Sequence, residues 1–258
     1  MVLLPGLLAA GIGTLVSLGM GSWTGLSSSA YALGPVEGLP HFARPDIADF
    51  GWSIALAVAV ALACVAIVHG GRRTASVVKL RPWVLVPAAA LIVAGLAIAF
   101  QQTTGKPFQE VLFSGQEALP GLVGKAGAWS IGTLALLIVF KGIGYSLSLG
   151  SFRGGPTFPG LFLGAVAGLM AGQLPGYSIT PGIAVGMAAA TAAVLRLPLS
   201  AIVIAAVLTL GSGSGSEPLV IVGVVIAYLI SSRLIPPPAA APTEPAGATV
   251  EAAAAPSG

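Results

Sequence analysis

Gly150-Ser-Phe-Arg-Gly-Gly-Pro-Thr-Phe-Pro-Gly-Leu-Phe-Leu-Gly164 is the stretch that decides how this chain folds. It places a run of helix-breaking residues between long apolar segments, and a helical pattern resumes from Leu161 to Met170. Lipid cannot satisfy free N–H and C=O groups, so unwound backbone at membrane depth is tolerated only where protein buries it or where it lines a wet cavity. The break therefore marks a site. It also opens a new helix, whose first turn carries unpaired N–H groups and the positive pole of the helix dipole, a place suited to an anion.

Working outward, the 258 residues are 56% hydrophobic and only 7% charged, with apolar runs near the ~20 residues that span a bilayer. Mean hydropathy is +0.98. This is an integral membrane protein. The net charge of +3 does not point to nucleic acid, because the cations lie singly or at membrane edges, where they set orientation. The lone Cys64 excludes an intramolecular disulfide and reads as a small packed apolar residue. His41 and His69 have no second ligand at metal-binding spacing, so neither a metal nor a cofactor is expected.

Apolar runs over 3–20, 52–68, 83–100 and 127–149 are separated by loops of contrasting charge. His69-Gly-Gly-Arg-Arg-Thr-Ala-Ser-Val-Val-Lys-Leu-Arg81 is the densest cationic loop and is placed in the cytoplasm by the positive-inside bias. The loop carrying Glu37, Asp46 and Asp49 lies outside, as do residues 101–126, within which Phe108–Phe113 reads as a surface or re-entrant helix. Ala30-Tyr-Ala32 has the form of a signal-peptidase site, but no Lys or Arg precedes the apolar core and the downstream segments are themselves membrane-embedded, so retention is expected. Beyond the break come four apolar pieces, 156–174, 181–194, 198–210 and 218–235. Leu199–Leu210 makes only about 18 Å of helix against a ~30 Å hydrocarbon core. Short, interrupted helices of this kind belong to transporter and channel interiors. Gly211–Ser216 reads as a linker, and the Pro/Ala-rich residues 236–258 as a disordered tail behind a membrane domain of residues 1–235.

Gly154-Gly-Pro-Thr-Phe-Pro-Gly-Leu-Phe-Leu-Gly-Ala165 resembles the G-G-x-F-x-P-x-L-x-x-G stretch of the CLC chloride channels and proton-coupled chloride transporters. Gly186-Met-Ala-Ala-Ala-Thr-Ala-Ala-Val-Leu-Arg-Leu-Pro-Leu-Ser200 is similar to that family's G-M-x-A-x-x-A-x-x-R-x-P-L-[ST] run. The resemblance covers the C-terminal half of a family member. It implies an all-α fold of short, tilted and re-entrant helices, in which two inverted repeats pack antiparallel and helix N-termini from both meet at the chloride ion. The first-half motifs G-S-G-I-P, with a chloride-coordinating Ser, and G-[RK]-E-G-P, with a gating Glu, do not occur in the sequence. A truncated or split gene product is expected on this ground, its missing half supplied by another chain or by a longer gene product. The family's late chloride-binding Tyr has no counterpart either, since Tyr228 falls too early.

By this resemblance, backbone N–H groups after the second Gly hold the anion, and they map to Pro156 and Thr157. Pro156 has no N–H, which leaves Gly155, Thr157 with its hydroxyl, and Phe158 as the candidate anion-binding residues. A Phe is expected at the Thr157 position and a small residue at Phe158, so the pore wall differs too. Lys141 lies inside an apolar run, where an unpartnered charge costs about 2.5–3.5 kcal/mol. It is read as a structural tie to a helix C-terminus, with a positive charge bordering the anion path as the alternative. Arg153 and Arg196 are placed at the cytoplasmic and extracellular ends or in re-entrant turns, with attraction of anions to an inner vestibule as the alternative for Arg153. Val207 stands where many family members carry Glu, and no acid–base pair supports proton coupling. No nucleophile, base and orienting group recur on one helical face, so an enzyme is disfavoured. The resemblance therefore implies chloride transport in a membrane, by a homodimer, and the expected setting is the plasma membrane of a bacterium with a cytoplasmic tail. A non-transporting scaffold or regulatory partner is the competing reading.

Overall fold

A computed structural model of the protein describes residues 3–24 and 34–236. Ala30–Ala32 and the tail from residue 237 onward lie outside the described residues. Among the described residues the regular elements are all helical: α1 Leu3–Thr24, α2 Ile47–Val78, α3 Pro82–Thr104, α4 Ala118–Gly124, α5 Ile131–Ser151, α6 Thr157–Ala171, α7 Ile179–Leu195, α8 Pro198–Leu208 and α9 Glu217–Leu234, joined in places by single 3-10 turns. Among the described residues, Ile47–Val78, Pro82–Thr104, Ile131–Ser151 and Ser214–Leu234 are long and apolar enough to cross a bilayer.

Local signals fix several boundaries. Asp46 caps α2 by accepting from the Asp49 N–H at 2.8 Å, while the Asp49 carboxylate accepts from the Asp46 N–H at 2.9 Å. This reciprocal capping box satisfies two donors that the first turn leaves free. Asp49 is thus the third residue of the helix, and buried, rather than part of the preceding acidic loop. Ser130 caps α5 by accepting from Thr133 N–H at 3.2 Å, and Gly105 ends α3 in the left-handed conformation.

α2 is the main departure from the sequence reading. It continues through His69 to Val78, so most of the expected cationic loop is helix, and only Lys79–Arg81 turn the chain. Gly70 and Gly71 fall in that expected loop, but here they serve a helix crossing. A Cβ on Gly71 would lie 2.9 Å from Leu149 Cβ, and one on Gly150 would lie 2.5 Å from Gly71 O. The missing side chains let α2 and α5 meet backbone to backbone, and the packing outweighs the ~1 kcal/mol that Gly costs a helix.

α7 is the central post, with every residue from Thr180 to Ala193 buried. α6 lies antiparallel against it through two Gly-x-x-x-Gly pairs, Gly164 with Gly168 and Gly182 with Gly186. A Cβ on Gly168 would sit 2.0 Å from Gly182 O, and one on Gly164 would sit 2.1 Å from Gly186 O. Small residues four apart on both helices allow this approach, and dispersion between backbones holds it in lipid. At 15 and 17 residues, the two helices are only about 23 and 26 Å long. One apolar cluster joins α7 to α2, α8 and α9, and a second joins it to α3, α5, α6 and the 111–123 segment.

Gly211–Ser216 is a packed junction rather than a linker. Ser212, Gly215 and Ser216 are buried, Phe42 N–H donates to Ser212 O at 2.7 Å, and Gly215 N–H donates to Phe42 O at 3.2 Å. Gly213, at φ +91°, lies against Phe42 O and the His41 ring, which requires glycine on both counts. Val36 N–H donates to Leu208 O at 2.7 Å, so the extended 34–43 segment satisfies a carbonyl at the end of α8.

These contacts also sort the charges. Arg72 Nη2 donates to Pro236 O at 2.8 Å, and Arg196 Nη2 donates to Ile235 O, so the ends of α2, α7 and α9 share one face. Arg196 therefore does not lie on the opposite side from Arg72; it occupies the α7–α8 turn on the same side. Arg72, Arg73, Lys79, Arg81, Arg153, Arg196 and Arg233 all belong to this face, at helix ends and in the turns between them. Of the described carboxylates, Glu37, Asp46, Asp49, Glu117 and Glu217 belong to the opposite one, and Glu110 lies between the two beside Lys141, midway along α5.

Candidate functional site

The break at residues 152–156 lies beside a cavity of about 320 Å³ lined by Val93, Val111, Leu112, Phe113, Ser114, Lys141, Gly144, Tyr145, Ser148, Leu149, Phe152, Gly154, Gly155 and Pro159. Three parts of the chain supply most of it, with Val93 of α3 and Pro159 of α6 completing the wall. α5 contributes Lys141, Gly144, Tyr145, Ser148, Leu149 and Phe152, spaced at i, i+3, i+4, i+7, i+8 and i+11, which is a single helical stripe. The break contributes Gly154 and Gly155, both exposed. The re-entering segment 111–114 closes the far side.

α6 begins at Thr157 with Pro156 as its N-cap, and no side chain caps it. Pro is at no disadvantage there, because its ring presets φ and the missing N–H would have had no helical acceptor. The N–H groups of Thr157 and Phe158 belong to the first turn, where the helix offers no acceptor and the dipole is positive. The break is held to α5 by the Tyr145 hydroxyl, which donates to Pro156 O at 2.7 Å.

Lys141 is 1% exposed. Its Nζ faces a cluster of carbonyls, donating to Glu110 O at 2.7 Å, Leu112 O at 3.1 Å, Phe113 O at 3.3 Å and Val111 O at 3.4 Å. An ammonium has three donors, so these four acceptors share them. Nζ also lies 4.6 Å from the centre of the Phe162 ring, which adds a cation–π contact. Phe108–Phe113 is not a helix of any length: a 3-10 turn at Phe108–Glu110 gives way to turns whose carbonyls wrap around Lys141. Phe113 takes φ +54°, a conformation that is uncommon for a bulky residue, and Gly115 at φ +85° lets the chain press against Phe162. Lys141 thus ties the re-entering segment to α5 and also lines the cavity.

Beside that cluster, Glu110 Oε2 is buried with no hydrogen-bond partner. Burial pushes the Glu110 carboxyl above the usual range, while Lys141 and Lys106 pull it down less strongly. Lys106 is engaged elsewhere, donating to Ala128 O at 2.9 Å and lying over the Trp129 ring.

Of the five residues singled out from sequence, Gly155 and Lys141 share this cavity. Thr157 and Phe158 stand half-buried in the adjoining first turn of α6 and do not line it, and Arg153 is exposed on the break outside it. Sequence reasoning missed Tyr145, Ser148 and the carbonyls of residues 110–113. The first two were findable, because they fall on the helical stripe that starts at Lys141. Cys64 is buried with Sγ 4.0 Å from Ala190 O and serves packing. Among the described residues no group of His, Cys, Asp and Glu is placed to hold a metal.

Comparison with known proteins gives a single kind of match. Searches of curated proteins and of solved structures return nothing that matches the chain. The sequence model of the family described as "Voltage gated chloride channel" matches residues 1–232, nearly the whole described part, and the chain therefore belongs to that family.

Proposed function

We propose that this chain forms one wall of a transmembrane pathway for chloride or a similar small anion, with the anion held at the first turn of α6. The observation that carries this reading is the juxtaposition of an uncapped helix N-terminus with a cavity lined by Gly154, Gly155 and Lys141. Three positive influences converge: the α6 dipole, the free N–H groups of Thr157 and Phe158, and the Lys141 ammonium, whose immediate partners are neutral carbonyls. Gly155 N–H and the Thr157 hydroxyl add donors. Arg153, on the exposed break, raises the local anion concentration.

The exposure of Gly154 and Gly155 means that these residues enclose an anion from one side only. With G-S-G-I-P and G-[RK]-E-G-P absent from these residues, the opposite wall comes from another segment or chain. The cation-rich face is cytoplasmic by the positive-inside bias, which places the end of α9 and the 236–258 tail in the cytoplasm, in this reading that of a bacterium. Homodimerisation through α1, α8 and α9 fits the apolar faces they expose, including Leu15 at 71%, Leu199 at 78% and Leu229 at 53%. Gly6 and Gly13 of α1 have nothing within 4 Å. The chain supplies a path and an electrostatic environment rather than bond chemistry, so it is not an enzyme.

One observation favours the second reading, a scaffold that no longer transports: Pro156 removes a backbone donor at the mouth of the break. Chloride efflux from proteoliposomes separates the two. The chain reconstituted with a segment that carries the two absent motifs should release chloride faster than either part alone. Stable association of the parts without chloride efflux would overturn the transport reading.

A further inference from the structure

A second cavity of about 320 Å³ opens between the C-terminal turns of α2, the N-terminal half of α3 and α5, on the cation-rich face. Its lining is apolar, with Val77, Leu85, Ala88, Ile92 and Leu147, except at Arg73 and at Thr74, whose hydroxyl is spent on Gly70 O at 3.0 Å. Along α3 it runs from Leu85 to Ile92, about 10 Å at 1.5 Å per residue, or roughly a third of a hydrocarbon core. Its level in the bilayer is marked by Trp83, 92% exposed in the first turn of α3 two residues before Leu85. An exposed Trp at a helix end belongs at the headgroup boundary.

We propose that this groove binds an anionic phospholipid, its phosphodiester on Arg73 and the upper part of one acyl chain between α2 and α3. The chemistry of the lining selects the occupant. A dry groove open beside membrane-spanning helices is filled by acyl chain, the apolar material at hand, and the only charge on its lining is a guanidinium. Arg73 is exposed, and no carboxylate of the described residues lines the groove with it. A guanidinium without a carboxylate matches a phosphate in the planar, two-pronged manner that a point charge cannot. Its helical neighbour Arg72 is already engaged with Pro236 O.

Native mass spectrometry of the full chain in detergent, titrated with phosphatidylglycerol or with phosphatidylcholine of the same acyl length, tests this. One cation near the surface is worth about a fivefold preference for an anionic lipid, and that preference is expected for the wild type. Arg73→Gln should abolish it, Arg73→Lys should keep part of it, and Arg233→Gln, a cation on the same face away from the groove, should leave it unchanged. Ala88→Phe, which fills the groove, should weaken both lipids together. Equal losses from Arg73→Gln and Arg233→Gln would mean diffuse surface charge and overturn the proposal. So would unaltered lipid binding in Ala88→Phe, or displacement of the lipid by glycerol phosphate at matched concentration, which would make this a site for free phosphate.

Discussion

Gly168→Ala is the sharpest perturbation of the scaffold that aims the α6 N-terminus. The new Cβ would meet Gly182 O at 2.0 Å, Gly182 C at 2.4 Å and Ile183 Cα at 2.7 Å. Restoring an ordinary contact of 3.4 Å to the carbonyl requires the helices to part by about 1.4 Å, because the opposing atoms are backbone and no rotamer change relieves them. Overpacking of a core costs about 1–3 kcal/mol, and this case belongs at the upper end. The displacement would also spread along α6 and α7 by loosening the adjacent Gly164–Gly186 contact, and so would move the first turn of α6. Unfolding in mixed micelles with rising dodecyl sulfate, followed by far-ultraviolet circular dichroism, measures the loss. Gly154→Ala is the control, because nothing lies within 4 Å of a Cβ there and its φ is not in the left-handed region. Equal stability of Gly168→Ala and wild type, within the ~0.5 kcal/mol of a neutral surface change, would refute the close-crossing argument.

Lys141→Met strips the carbonyls of residues 110–113 of their donor. A hydrogen bond to a charged group is worth about 1.5–3 kcal/mol, so the same unfolding assay should show at least that loss, with increased proteolysis between Phe108 and Gly115. Glu110→Gln should have a pH-dependent effect. Because burial raises the folded-state carboxyl above its unfolded value, the folded state holds the proton more tightly, and stability declines as pH rises through the window between the two values. Gln removes that decline, so the variant should gain on wild type above the window, and unfolding midpoints measured across pH check this. Ser76, exposed near the end of α2, should as Ser76→Cys resist an impermeant thiol reagent in intact cells and react once the membrane is opened.

The parts of this fold that were legible in the sequence are those where one residue type forces one outcome. Gly154 to Pro156 could not continue a helix, and the helix opening at Pro198 is too short to span, ending at Leu208. What escaped was settled by packing. Gly70 and Gly71 carry the same letters as a breaker, and only the approach of Ser146, Leu149 and Gly150 makes them a crossing point inside α2. Gly211–Ser216 looks like a tether until Phe42 and His41, far away in the sequence, are brought onto it by the fold. The burial of Lys141 implied a partner, but its carbonyls come from a segment without periodicity, which pattern reading cannot place. For Arg196 the turn was legible and the side was not: it ends α7 at φ +57°, a conformation usually left to Gly, and the side of the membrane it faces depends on two short helices that return on themselves.

Chloride binding to the complete assembly, measured by calorimetry for wild type, Thr157→Val and Thr157→Asp, tests the anion site most directly. If backbone donors at the first turn of α6 hold the ion, removing the Thr157 hydroxyl should weaken binding by only about 0.5–1.5 kcal/mol, the net worth of one hydrogen bond. Thr157→Asp should abolish binding, because a tethered carboxylate occupies the same N–H groups and the same dipole. Chloride binding that is unchanged in both variants would contradict the account and make the break at Gly154–Pro156 a structural turn.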